Sequence, residues 1–484
     1  MKNYAMLQLT EADPDVVQEL SDKFTFKVPG AEFMPAVRKK RWDGKIRLFN
    51  KMNGEINAGL FYAIKNFAAQ RGYGISLEET EYGLPNDKTK VNHMENMQWM
   101  ETLGLPFKPR DYQYDAVAHA VENKRCVLIS PTGSGKSFIA YLLTRWYLSR
   151  YDKPVLIVVP TTSLVEQLTQ DYKDYGYDTD NLVHKIYAGK DKDTDRRIII
   201  TTWQSIHKLG RDWFTKFGMV IGDECHNFKA KSLSSIMNKA TNAEYRFGMT
   251  GTLDGTQTNK MVLEGLFGKV HRVTYTKTLQ EKGELAKLDI DIIMLKYKEA
   301  ERERNKDATY QEEIDFLCLW NPRNVFVRNL SLSLSGNTLV LFNLVEKHGK
   351  PLRDMIEDKI DENRKFFFVS GETKTTDREA VRAIVEKQDN AIVLASLGTF
   401  STGINIRNIH NIIFASPSKS QIRVLQSIGR GLRLSDDGRT TKLYDIADDL
   451  RYQRKANFTL RHSAQRVKIY NSENFDYKIH EVDL

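Results

Sequence analysis

Between Ser130 and Ser137 the chain reads Ser-Pro-Thr-Gly-Ser-Gly-Lys-Ser. Glycines followed by Lys-Ser suit one task. The backbone N–H groups can curl round a phosphate, the following helix N-terminus adds its positive end, and Lys136 can reach the terminal phosphates while the Ser137 hydroxyl holds Mg²⁺. Thr132, Gly133, Ser134, Gly135, Lys136 and Ser137 are therefore the candidate cradle for ATP. The first glycine of the strict G-x-x-x-x-G-K-S pattern is replaced by Ser130. Further on, the apolar run Met219 to Gly222 ends in Asp223-Glu224-Cys225-His226. Side chains alternate along a strand, so two adjacent carboxylates at its end point different ways. One can face a metal and the other a water. Asp223 is assigned to Mg²⁺ and Glu224 to the water that attacks the γ-phosphate. His226 has no partner at metal-ligand spacing and is expected to couple through hydrogen bonds. Upstream, Gln113 could pair with adenine N6 and N7, as glutamine does in base readout. The alternative for Gln113 is an ordinary polar residue at a helix start.

These residues need strands and helices to hold them. From about Tyr112 the chain alternates short apolar runs (CVLIS, PVLIVV, RIIITT, MVIGD, YRFGMT) with helix-like segments, and a second series (DIIML, TLVLF, KFFFVS, AIVLAS, NIIFAS) follows the charged stretch 269–287. Strands apolar on both sides, separated by helical patterns, predict parallel sheets covered on both faces. Four regions are expected: a small α+β domain over 1–93, α/β domains over 94–286 and 287–450, and a basic helical tail over 451–484. The length of 484 residues suits several domains.

Nine motifs in order resemble those of superfamily 2 helicases of the DEAD/DEAH-like type: RDYQ (110–113), PTGSGKS (131–137), VVPTTSLVEQ (158–167), TTWQS (201–205), DECH (223–226), MTGT (249–252), LVLF (339–342), ASLGTFSTGIN (395–405) and QSIGRGLR (426–433). The resemblance implies two tandem RecA-like domains with ATP between them. It implies Gln426 at the nucleotide, with Arg430 and Arg433, on the domain without a P-loop, as fingers for γ-phosphoryl charge. The same resemblance places Thr161, Thr162, Thr202, Gln204, Ser401 and Thr402 on a nucleic-acid track that ignores base sequence. Such hydroxyls also serve as plain helix caps. Thr250, Thr252 and Gly403 fall in motifs that, by the resemblance, couple hydrolysis to strand separation.

The flanks are more selective. The formal charge is +9, and two stretches, Ala36–Lys51 and Arg451–Tyr470, carry +6 each. In the first, Arg41, Lys45 and Arg47 flank Trp42 and an Asp43-Gly44 pair, read as a hairpin turn. Such a ribbon suits a duplex backbone, the alternative being a solvated basic hairpin. With the motor spacing, the WDGKIRLF segment and YQEE at 310–313, it is similar to the phage UvsW-type family of branched-DNA helicases. That resemblance implies branch migration, fork regression and D-loop or R-loop unwinding in recombination and repair. Expected partners are branched, duplex and single-stranded DNA, with RNA–DNA hybrids in addition, and the chain is expected to act as a monomer. Motif chemistry leaves an RNA track open, and a non-catalytic binding or annealing module is the rival from a different class. Neither a membrane span, a signal peptide nor a metal cluster is expected, which places the protein in the cytoplasm of the host cell. Cys126, Cys225 and Cys318 are sparse and far apart, and read as isolated thiols.

Overall fold

The computed structural model describes residues 1–187, 189, 191–228, 230–253, 256–285, 287–403, 406, 408–416 and 440–484. Internal packing groups the chain into two units, Met1–Ser130 with Gly135–Thr274, and Pro131–Ser134 with Tyr275–Leu484.

The first unit opens with β1 (Met6–Gln8), α1 (Pro14–Lys23), β2 (Thr25–Lys27), β3 (Lys45–Arg47), β4 (Phe49–Asn50), β5 (Glu55–Asn57) and α2 (Phe61–Arg71). Strands β1, β5 and β4 make one small antiparallel sheet and β2 with β3 another. Leu20, Phe24, Phe49, Ile56, Leu60 and Phe67 form a core of their own. A side chain at Gly59 would come within 2.0 Å of the Glu264 carbonyl oxygen, so the backbones approach too closely there for any residue but glycine. The expected basic hairpin is not what forms. Strand β3 pairs with β2, Lys27 opposite Lys45, and Pro35–Arg38 is a single helical turn. Pro35 sits at the first helical position, where its fixed φ favours a helix start over a strand.

The motor part follows with α3 (Asp111–Asn123), β6 (Arg125–Ile129), α4 (Lys136–Leu148), β7 (Val155–Val159), α5 (Thr162–Asp174), β8 (Val183–Ile186), β9 (Ile198–Thr202), β10 (Met219–Gly222), β11 (Tyr245–Thr250), α6 (Gln257–Phe267) and β12 (Val270–Arg272). The strands make one parallel sheet in the order β12-β6-β11-β10-β7-β9-β8. Along β7, Val155, Ile157 and Val159 enter one core while Leu156 and Val158 enter the other. That alternation is why the strand reads as an unbroken apolar run. Each such side chain contributes about 1.5–3 kcal/mol on burial.

The second unit holds β13 (Leu288–Lys296), α7 (Asn321–Ser333), β14 (Thr338–Phe342), β15 (Phe366–Val369), β16 (Ile392–Ser396), α8 (Leu397–Gly403), β17 (Asn411–Phe414), β18 (Thr441–Asp449), α9 (Phe458–Ser472) and β19 (Tyr477–Asp483). Its sheet is also parallel, ordered β15-β16-β14-β17-β18-β13-β19. Two seven-stranded parallel sheets with helices on both faces are tandem RecA-like domains.

The tail departs from expectation. Helix α9 leads into β19, which pairs along β13 and completes the second sheet, so 451–484 is not a free helical extension. Part of its charge is also paired within the protein. Arg466 is fully buried, with Nε 2.9 Å from both Asp445 carboxylate oxygens, Arg451 pairs with Asp449, and Lys455 lies 3.3 Å from Asp307. Arg451, Arg454, Lys455, Arg461 and Lys468 are all exposed. The three cysteines are buried and free, and burial pushes the Cys126 and Cys225 thiols up. Among the described residues no helix is long and apolar enough to cross a membrane, and none of their His, Cys, Asp and Glu residues form a metal-holding group of three.

Candidate nucleotide and nucleic-acid site

Strand β6 leads into Ser130, whose N–H donates to the Thr250 carbonyl at 2.9 Å on the neighbouring strand. Ser130 is fully buried, and its φ is not among the positive values that favour glycine, so a side chain is tolerated where the strict motif has none. The positive φ values fall instead on Gly133 (86°) and Gly135 (79°). Thr132 is half-buried, and Ser134 is buried with its hydroxyl donating to the Pro131 carbonyl at 2.6 Å, which closes the turn. Gly135 caps α4. Lys136 folds back, its Nζ donating to the Ser130 carbonyl at 3.3 Å and lying 3.7 Å from Glu224 Oε1.

The acidic pair stands where β10 ends. Glu224 has a left-handed backbone, φ 46° and ψ 45°. A non-glycine residue held so costs on the order of 1–3 kcal/mol and must be imposed by its surroundings. The Glu224 N–H donates to Asp223 Oδ1 at 2.9 Å, and the Asp223 N–H to the Val158 carbonyl. Burial first, and then the Glu224 carboxylate, push the Asp223 carboxyl up, while Lys136 pulls it down. Glu224 Oε2 is buried with no hydrogen-bond partner among the described residues. It faces His226 Nδ1 at 3.4 Å, and that nitrogen is 2.5 Å from Thr250 Oγ1. Thr250 gives its one proton to the Thr252 carbonyl at 2.6 Å, which leaves its oxygen to accept from the imidazole. Glu224, His226, Thr250 and Thr252 are thus one connected chain.

Gln113 lies beside the same turn. It is 4% exposed, and its Oε1 accepts from the Arg110 N–H at 2.9 Å in a capping box that starts α3. A side chain at Gly135 would strike its Nε2 at 2.5 Å. The carboxamide therefore walls the phosphate turn and holds the helix start. Motif spacing gave no notice of Phe107, a half-exposed ring 4.7 Å from Phe138, nor of Tyr175, whose hydroxyl donates to Ser137 Oγ at 3.3 Å. The only available signal was the density of aromatics at 172, 175 and 177.

The track residues divide. Thr161 caps α5 and is exposed with Thr162, while Gln204 is exposed with its Nε2 on the Pro160 carbonyl at 3.2 Å. Thr202 departs from the expectation of a phosphate contact: it is 4% exposed and its hydroxyl pairs with Ser205 at 2.8 Å. Ser401, Thr402 and Gly403 end α8 in the second unit. Gln426, Arg430 and Arg433 lie outside the described residues. On the N-terminal ribbon, Arg41, Lys45 and Arg47 are exposed; Arg47 pairs with Asp43, holding that carboxyl down near 2.

An ammonium beside a glycine turn, a hydroxyl at the helix start, and two adjacent carboxylates, one with a buried oxygen, are a donor set that fits a nucleotide triphosphate and a divalent cation.

Three families match the chain: the N-terminal region of DNA helicase UvsW over 1–78, the res subunit of type III restriction enzymes over 106–255, and the helicase conserved C-terminal domain over 323–435. The ATP-dependent DNA helicase uvsW of Enterobacteria phage T4 is 34% identical over 496 aligned residues, which cover 98% of this chain and 97% of that one. The crystal structure of T4 UvsW is similar with a TM-score of 0.53 at 32% identity, covering 99% and 98% of the two chains. The DNA-bound type ISP restriction-modification enzyme LlaBIII shares the fold alone, with a TM-score of 0.57 at 17% identity over 78% of this chain and 31% of that one. Identity at this level through nearly the full length of both chains, with the N-terminal segment included, means that this protein belongs to the UvsW family of superfamily 2 helicases.

Proposed function

We propose that this protein is an ATP-dependent DNA helicase that remodels branched DNA, by branch migration, fork regression and unwinding of D-loops and R-loops, in phage recombination and repair. The observation that carries the reading is the assembled Lys136–Glu224–His226–Thr250 chain in a protein alignable end to end with a phage DNA helicase. Lys136 binds the terminal phosphates, and Ser137 with Asp223 would hold Mg²⁺, which when bound neutralises phosphate charge. Glu224 orients the attacking water and takes its proton at the carboxylate, whose Oε2 faces His226. His226 and Thr250 then feel the change in Glu224 charge through their shared hydrogen bond. Arg430 and Arg433 stabilise charge on the transferred phosphoryl group, and Gln113 and Gln426 border the nucleotide. Thr161, Thr162, Gln204, Ser401 and Thr402 contact phosphates of the tracked strand, and Gly403 lies in the segment that couples track to hydrolysis. The protein works as a monomer in the host cytoplasm, with RNA–DNA hybrids among its substrates.

A gel assay on matched substrates tests this. Four-way junctions, forks, D-loops and R-loops should be processed with ATP faster than blunt duplex. Processing of RNA duplexes alone, or no ATP dependence, would sink the proposal.

The N-terminal ribbon makes a second expectation. Lys39, Lys40, Arg41 and Lys45 are all exposed, and none is within ion-pair distance of a carboxylate among the described residues. Each phosphate contact contributes about 0.9 to the slope of log K against log salt. Neutralising these four should weaken junction binding and make that slope shallower by up to about 3–4. An unchanged slope in filter binding would return the ribbon to a solubility role.

A further inference from the structure

Ser137 is not alone at the start of α4. The Tyr175 hydroxyl donates to Ser137 Oγ at 3.3 Å, and Tyr175 is the residue that ends α5. One turn earlier on α5, the buried Tyr172 hydroxyl lies 3.1 Å from Thr144 Oγ1, farther along α4. The Tyr175 ring is held edge-on by Phe138 at 5.0 Å and by Phe107 at 5.7 Å, with Tyr141 at 5.3 Å. The ring therefore has little freedom, and its oxygen is delivered to one place.

A serine hydroxyl has one proton and two lone pairs. A donor fixed on one lone pair removes a rotational choice: the other lone pair is left for a cation, and the proton for an acceptor. We propose that Tyr175 is a positioning residue of the nucleotide site, orienting the Ser137 hydroxyl for a divalent cation from the end of α5. The proposal rests on reading Lys136 and Ser137 as the nucleotide site. Its consequence is specific: Tyr175 contributes to the part of nucleotide affinity that depends on Mg²⁺, and not to the part that does not.

The test is equilibrium binding of a fluorescent ADP analogue to the full-length protein, with Mg²⁺ and with EDTA. One hydrogen bond of this kind is worth a factor of about 2–10. Tyr175→Phe keeps the ring packing and should lower the Mg²⁺-dependent gain in affinity by that factor, with binding in EDTA unchanged. In a Ser137→Ala background the same substitution should have no further effect. Tyr172→Phe removes the neighbouring bond without touching Ser137, and should keep the wild-type gain. Equal gains in wild type and Tyr175→Phe would overturn the role of Tyr175, and so would an equal loss in Tyr172→Phe, which would mark general loosening of α5. No Mg²⁺-dependent gain in the wild type would overturn the nucleotide-site reading instead, and the proposal with it.

Discussion

Glu224→Gln is expected to reduce DNA-stimulated ATP turnover by about 10²–10⁴-fold, the range that a positioned general base supplies. The substitution keeps shape and removes the negative charge. Lys136 Nζ, 3.7 Å from Glu224 Oε1, stays available for phosphate, so nucleotide binding should survive while hydrolysis does not. The effect is large because nothing else takes over. Asp223 has Oδ1 engaged by the Glu224 N–H, and His226 Nδ1 already faces Thr250. The residue is also held in a left-handed backbone, so its carboxylate is aimed by the turn and not by a flexible arm. Phosphate release at saturating DNA measures it, and turnover within a few-fold of wild type would remove Glu224 from its assigned role. Lys136→Ala should differ in kind, weakening nucleotide binding as well.

Asp448→Ala is expected to destabilise the second unit by about 3–5 kcal/mol, the cost of leaving a buried charge unpaired. Arg323, on α7, is 1% exposed and grips Asp448 with two bonds, Nε to Oδ1 at 2.7 Å and Nη2 to Oδ2 at 3.0 Å. The Tyr297 hydroxyl adds a bond to Oδ1 at 2.8 Å, so removal of the carboxylate orphans a guanidinium and a phenol together. The remaining bond from Arg323 Nη2 to the Ala415 carbonyl cannot neutralise a charge. Urea unfolding followed by fluorescence measures the loss. Replacing both partners, Arg323→Met with Asp448→Leu, should recover most of it, because desolvation of the pair is then no longer needed. A double variant as unstable as the single one would contradict this account.

How far such features could be foreseen depends on the range of the interaction. The ten strands expected from two-sided apolar runs all form, because each run is apolar for a local reason: alternate residues enter two cores. Four others did not announce themselves. Strand β18 carries Asp445, Asp448 and Asp449, and an acidic run does not read as a buried strand. It is buried because Arg466, Arg323 and Lys296, from three other elements, meet it in space. The same distant pairing draws Arg466, from the stretch read as a basic helical tail, into the core. Strands β8, β12 and β19 are short or polar and are recruited at or near the sheet edges.

The sequence by itself determined the family and the candidate residues of the site, since glycine turn, acidic pair and apolar strands are each written in a few consecutive residues. Only the tertiary structure decided that Thr202 is buried, that Gln113 is a cap beside Gly135, that β2 and not the basic run pairs with β3, and that Tyr175 reaches Ser137. Those outcomes depend on which distant group takes up a given donor or charge. A polar side chain carries no local mark of its partner, whereas an apolar one needs only to be out of water.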